Sequence, residues 1–145
     1  MISDDELSSL LGDVLRERGR VTVPAAGFSM GNAFREADAL VIERIQSLRP
    51  GDVVVFCRFD RWVAHRVLHV YGETSPWLCL TRGDAVLRPD HPVRKGEAVG
   101  VVTALMNGER CDPVPREPPN ALTAWVCRLL ARTSGGRHPA PARPA

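Results

Sequence analysis

Apolar residues near the start of the chain recur at helical spacing. If residues 4–18 form a helix, these apolar residues lie on one face of it. They are Leu7, Leu10, Leu11, Val14 and Leu15. Their spacing is the i, i+3, i+4 pattern of an amphipathic helix. Ser3 or Asp4 can cap the first turn, and Gly19 follows two arginines as a natural stop. This pattern predicts an N-terminal helix within residues 1–20.

From residue 21 onward the helical spacing of apolar residues is replaced by short continuous apolar runs. Five runs are rich in valine, isoleucine and aromatic residues: "ALVIERI", "DVVVFCRF", "WVAHRVLHVY", "WLCLTR" and "AVGVVTALM". Turn sequences such as "RPGD" and "RFDR" separate them, and this spacing is typical of antiparallel sheets rather than of βαβ units. We therefore expect a mainly β protein: a small antiparallel β-barrel or sandwich over residues 21–106, with a helix at each end.

The C-terminal part has a different composition. Residues 107–132 are interpreted as a proline-rich connector, "NGERCDPVPREPPN", and a short amphipathic helix from about Asn120 to Ala131. That helix either packs on the domain or lies on a membrane surface, since arginines flank its apolar residues. Residues 133–145, "TSGGRHPAPARPA", have the composition of a disordered tail.

Composition narrows the classes of function. A chain of 145 residues is most simply one domain, and a net charge of +2 with scattered basic residues argues against nucleic-acid binding. No signal peptide and no apolar stretch of ~20 residues is visible, so a cytoplasmic protein, at most peripheral to a membrane, is expected. Cys57 and Cys79 lie in apolar runs and no C-x-x-C pair occurs, which predicts buried free thiols.

Histidines are the first candidates for chemistry. His65 and His69 lie in the run "WVAHRVLHVY", where strand alternation puts both on the face of Val63 and Val67. They would stand roughly 13 Å apart, too far to bind one metal ion. A lone strand histidine is more commonly structural, and His91 reads as a turn residue. No metal or cofactor is expected.

The order of the motifs carries more information than any single residue. The chain runs through "GFSM", "LRPGDVVVF", "VAHRVL", "LTRGDAVLRPD" and "AVGVVTAL". This order resembles the serine peptidases of the signal peptidase I superfamily, in particular the archaeal and endoplasmic-reticulum branch. That branch is similar in its Ser-Met loop, its His-Arg-Val strand and its Gly-Asp segment with a second aspartate. The resemblance runs from Val21 to Leu105.

The resemblance implies roles for particular residues. Ser29 would be the nucleophile, His65 the general base where bacterial signal peptidases have lysine, and Asp90 the triad acid. Asp84 would support the site, and Arg66 would be structural; spacing favours Asp90 over Asp84 as the acid without deciding it. An imidazole can accept a serine proton at neutral pH, and a carboxylate on its other nitrogen fixes the tautomer. The implied partner is a peptide or precursor protein with small residues beside the scissile bond.

Departures from the family pattern leave other readings open. Gly27 stands where many members have a hydroxyl, the usual proline after Ser-Met is missing, and no membrane anchor is seen. A non-catalytic peptide-binding module on the same fold is one alternative. "G-x-S-M" also looks like the related self-cleaving repressors, which use a serine–lysine pair, with Ala25–Ala26 as a candidate scissile bond. The single lysine, Lys95, lies far along the chain, and the oligomeric state is left open.

Overall fold

A computed structural model describes residues 3–25, 30, 34, 37–59, 61–72 and 78–115. The elements are one helix, α1 (Asp4–Arg18), and eight strands. The strands are β1 (Arg20–Pro24), β2 (Ala39–Glu43), β3 (Val53–Arg58), β4 (Arg61–Tyr71), β5 (Leu78–Arg82), β6 (Val93–Arg94), β7 (Ala98–Asn107) and β8 (Arg110–Pro113). A 3-10 turn, Lys95–Glu97, leads into β7.

Helix α1 confirms the helix predicted from the N-terminal pattern. Ser3 is the cap: its hydroxyl accepts from the Glu6 N–H at 3.2 Å, and the Glu6 carboxylate accepts from the Ser3 N–H at 2.8 Å. The bond from the Ser3 N–H, and to a smaller extent one from the Ser3 hydroxyl, lower the pKa of the Glu6 carboxyl. At the other end Gly19 takes a left-handed φ of 73° and donates to the Leu15 carbonyl. A glycine adopts this conformation without the steric penalty of a Cβ.

The strands form one antiparallel sheet that curls into a half-barrel, with the order β1-β2-β7-β3-β4-β5-β6. The five apolar runs became β2, β3, β4, β5 and β7, so the predicted mainly β fold is confirmed. β8 pairs with the C-terminal half of β7. Among the residues that the structure describes, no helix is long and apolar enough to cross a bilayer.

Three strands were not predicted: β1, β6 and β8. β8 corrects the expectation that a connector starts at residue 107. It forms a hairpin with β7 that closes at Asn107 and Arg110, with Gly108 at a φ of 61° in the turn. Glycine at the first of the two turn positions favours such a hairpin, but β8 carries no alternating apolar residues that would mark it. The helix expected near residues 120–131 and the tail at 133–145 lie outside the described residues.

Two hydrophobic clusters cover the two faces of the sheet. In the first, Leu11 and Leu15 of α1 pack with apolar side chains of the sheet: Leu40, Ile42, Val53, Val55, Val102 and Leu105. The second is formed by Val54, Phe56, Val67, Cys79 and Val93. Gly100 lets the helix approach β7, because a Cβ there would meet the Ile42 Cγ2 at 2.5 Å and the Leu15 Cδ1 at 3.0 Å.

Cys57 and Cys79 are buried, as their apolar surroundings predict. Burial raises the pKa of the Cys79 thiol to about 12, against a smaller opposing effect of the Arg58 charge. Because the thiolate is the reactive form, Cys79 is a packing residue. Cys111 is exposed, and Cys127 lies outside the described residues.

Candidate functional site

His65 lies in the middle of β4, on the face of the second cluster. Its backbone pairs with Val54 of β3, and its ring meets the edge of Phe56, with centroids 6.0 Å apart and an interplanar angle of 79°. Only 8% of the residue is exposed. The two neighbouring strands and the aromatic contact therefore hold the imidazole in one orientation.

Asp90 lies on the loop that joins β5 to β6, and its side chain contacts His65. The His65 Nδ1 lies 2.5 Å from the Asp90 Oδ2, and the two side chains are 10% and 21% exposed. An ionised carboxylate only accepts hydrogen bonds, so Nδ1 carries the proton and Nε2 is the basic ring nitrogen. Such a pair can accept a proton at Nε2 and stabilise the resulting imidazolium.

Thr81 of β5 makes two further contacts with Asp90. The Thr81 hydroxyl donates to the same Oδ2 at 2.7 Å, and the Asp90 N–H donates to the Thr81 carbonyl at 2.8 Å. Sequence reasoning missed this residue. The available signal was a polar side chain inside the apolar run "WLCLTR", because a buried hydroxyl needs a partner.

Arg66, the next residue of β4, forms an ion pair with the same loop. Its Nε donates to the Asp84 Oδ1 at 2.8 Å and one terminal nitrogen donates to Oδ2 at 2.7 Å. The other terminal nitrogen donates to the carbonyls of Gly51, at 2.9 Å, and Pro115, at 2.5 Å. The structure thus separates the two aspartates that spacing left open: Asp90 contacts the histidine, and Asp84 contacts the arginine.

The loop between β5 and β6 is also fixed near its end. Arg58 donates to the carbonyls of His91, at 2.9 Å, and Pro92, at 3.0 Å. Its guanidinium lies 5.1 Å from the centroid of the Phe56 ring. Asp90 therefore stands on a loop that is bonded to the sheet on both sides of it. Arg58 is a second residue of this region that the sequence analysis did not single out.

Comparisons with protein-family models, curated proteins and solved structures find no match for this chain.

Ser29, the predicted nucleophile, lies outside the described residues, as do Gly27 and Phe28. Its neighbour Met30 is described: it is 5% exposed and packs in the first cluster together with Phe34. Met30 is therefore a core residue of the first cluster.

His69 does not share a face with His65, so the expectation from strict alternation is wrong. A β-bulge interrupts the pairing of β4 with β5 between Val67 and His69. Beyond it Val70 packs with Val67 in the second cluster, whereas His69 contacts Tyr71, with ring centroids 4.5 Å apart. The extra residue of a bulge shifts the alternation by one position, which no apolar pattern in this run reveals.

Two concave regions lie elsewhere on the described surface. Their volumes are about 480 and 1160 Å³, and they open beside Arg44 and the loop that follows β2. Neither is lined by His65 or Asp90. No group of three or more metal-ligating side chains occurs among the residues described. The His65–Asp90 pair thus lies outside both of these concave regions.

Proposed function

We propose that this protein is a serine endopeptidase of the signal-peptidase-like type, with Ser29 as nucleophile, His65 as general base and Asp90 as the acid of the triad. The observation that carries this proposal is the 2.5 Å contact between the His65 Nδ1 and the Asp90 Oδ2. The motif order of the chain supports it, since His65 and Asp90 occupy the base and acid positions that the resemblance implies. The curled antiparallel sheet is compatible with that fold type.

The proposed reaction begins when Nε2 of His65 takes the proton of the Ser29 hydroxyl. The serine oxygen attacks the scissile carbonyl, and the backbone N–H of Ser29 donates to the developing oxyanion. His65 then passes its proton to the leaving amine, which releases one product and leaves an acyl-enzyme. Water, deprotonated by His65, hydrolyses that ester. General acid–base assistance of this kind contributes typically ~10²–10⁴-fold.

Asp90 serves the reaction through His65. Its negative charge stabilises the imidazolium that forms at each proton transfer, and its contact with Nδ1 keeps Nε2 available as the base. Asp84 has a different role in this proposal. Its bonds to Arg66 hold the loop on which Asp90 stands. The proposed substrate is a peptide or precursor protein with small residues beside the scissile bond.

The test compares cleavage of a diverse peptide library by five proteins, with the products read by mass spectrometry. These are the wild type, Ser29→Ala, His65→Ala and two matched controls, Ser47→Ala and His69→Ala. We expect the wild type and both controls to cut the same bonds, and the Ser29 and His65 variants to leave them intact. His69 is the matched histidine because it lies on the same strand but contacts Tyr71 instead of Asp90.

Two outcomes would contradict the proposal. Equal cleavage by the wild type and Ser29→Ala would show that Ser29 is not the nucleophile. No cleavage by the wild type, together with capture of particular library peptides, would favour a non-catalytic peptide-binding module.

A further inference from the structure

Thr81 is a fully buried residue whose hydroxyl is bonded to the carboxylate of the candidate site. The residue is 0% exposed, and its Oγ1 donates to the Asp90 Oδ2 at 2.7 Å. The same oxygen lies 2.5 Å from the His65 Nδ1. One carboxylate oxygen therefore accepts two hydrogen bonds, one from the imidazole and one from β5.

The two contacts between Thr81 and Asp90 have separable effects. The main-chain bond from the Asp90 N–H to the Thr81 carbonyl, at 2.8 Å, fixes the loop and persists whatever side chain stands at position 81. This main-chain bond does not restrict rotation of the carboxylate about the Cβ–Cγ bond, which is a soft torsion. The hydroxyl is the group that restrains this rotation, because it engages the oxygen that faces the imidazole.

We propose that Thr81 is a positioning residue for the His65–Asp90 pair. Its hydroxyl holds the Asp90 carboxylate with Oδ2 toward Nδ1, and so keeps the imidazole in the tautomer whose Nε2 is basic. It also stabilises the ionised carboxylate, since hydrogen bonds to charged groups are stronger than neutral ones. The catalytic consequence of this inference rests on the proposed function, whereas its structural part does not.

The test uses the full chain with three substitutions of graded donor strength. Thr81→Ser keeps the hydroxyl, Thr81→Cys replaces it by a weak donor, and Thr81→Val removes it at nearly constant volume. The first readout is the downfield NMR signal of the His65 Nδ1 proton in the resting protein, assigned by its loss in His65→Gln. The second is kcat and KM on the best peptide from the library.

We expect Thr81→Ser to keep both the Nδ1 signal and the wild-type kcat. Thr81→Val should lose or shift the signal and lower kcat by about 10- to 100-fold, the range for a hydrogen bond to a charged group, with KM unchanged. Thr81→Cys should fall between them. Thermal unfolding checks that each variant is folded, and Thr81→Cys replaces Thr81→Val in the comparison if the valine variant does not fold.

Wild-type signal and kcat in the folded donor-deficient variants would overturn the inference, because Thr81 would then only fill space. Equal losses in Thr81→Ser and Thr81→Val would overturn it as well, since the hydroxyl would not be the cause. If the wild type cleaves no peptide, the proposed function fails on its own, and the Nδ1 signal still decides the positioning role. Absence of that signal in the wild type would contradict both.

Discussion

Two side-chain pairs connect consecutive residues of one strand to one loop, and they differ in burial. The side chains of His65 and Asp90 are 10% and 21% exposed, whereas those of Arg66 and Asp84 are both 1% exposed. Consecutive residues of a strand point to opposite faces of the sheet. The loop between β5 and β6 therefore sends one carboxylate to each side of β4.

The difference shows why one pair suits chemistry and the other suits structure. Arg66 is always charged, so removing Asp84 leaves an uncompensated cation in the interior. An imidazole, unlike a guanidinium, can change its protonation state in the course of a reaction, and the partial exposure of the His65–Asp90 pair leaves room for the reacting groups. The fully buried pair, with its bonds to Gly51 and Pro115, fixes the frame that holds the His65–Asp90 pair.

The largest expected effect is that of Asp90→Asn on catalysis. An amide at this position no longer fixes the tautomer of His65, and the corresponding change in serine triads lowers kcat by about 10⁴-fold. Stability should change less than in a variant of the other aspartate of this loop, because the Asp90 side chain is 21% exposed and that of Asp84 is 1% exposed. Steady-state kinetics and urea unfolding of the same preparation measure the two effects. A variant with more than a tenth of the wild-type kcat would remove Asp90 from the triad.

Asp84→Asn should have its main effect on folding. Breaking one side of a buried ion pair typically lowers the free energy of unfolding by about 3–5 kcal/mol, and urea denaturation measures that loss. Asp90→Asn is the matched control, being the same substitution in the same loop. If the two variants were equally stable, the contrast in burial would have no energetic meaning.

The sequence was informative where one local pattern decides the structure. The apolar spacing and Ser3 predicted α1 with the bounds that are observed, and the five apolar runs predicted the main strands. β6 has two residues and β8 is polar, so pairing with a neighbour determines them rather than their own composition. The bulge before His69 is likewise a property of two paired strands.

The site was predictable only through the order of its motifs. Taken singly, His65 and the Gly-Asp pairs of "LRPGDVVVF" and "LTRGDAVLRPD" carry little information about function. Spacing alone did not decide between Asp84 and Asp90. The contact of Thr81 with Asp90 joins residues nine positions apart, across a turn whose geometry no periodicity encodes. The placement of Ser29 relative to His65 stays a prediction.

Gly100→Ala should lower the stability of the protein without changing the catalytic rate at the candidate site. The new Cβ would meet the Ile42 Cγ2 at 2.5 Å and the Glu43 carbonyl at 3.0 Å, and overpacking of this kind typically lowers stability by about 1–3 kcal/mol. The contacts of His65 and Asp90 are not involved, so kcat of the folded protein should not change. Gly96→Ala is the matched control, since nothing lies within 4 Å of its added Cβ. A lower kcat in folded Gly100→Ala would mean that any destabilised sheet impairs the site, and would weaken the interpretation of Asp90→Asn.

The smallest expected effect is that of Glu43→Gln, which breaks an ion pair at the surface. A terminal guanidinium nitrogen of Arg20 lies 3.3 Å from the Glu43 Oε1, and the two side chains are 65% and 35% exposed. Such surface pairs typically contribute less than ~1 kcal/mol to the free energy of unfolding. The pKa of the Glu43 carboxyl lies below its ordinary value of 4.5, mainly because the Thr103 side chain donates to it, while Arg20 adds a smaller effect.

A carboxyl with a lowered folded-state pKa stabilises the protein above its unfolded pKa, and this contribution disappears as the pH falls through the folded value. The stability difference between wild type and Glu43→Gln should therefore be complete at pH 7 and vanish below the lowered pKa. Urea unfolding at several pH values measures it, and the part due to Arg20 should shrink with added salt. A loss at pH 7 as large as that of Asp84→Asn would show that exposure does not separate the ion pairs of this sheet. The difference between the His65 and Arg66 pairs would then need a cause other than burial.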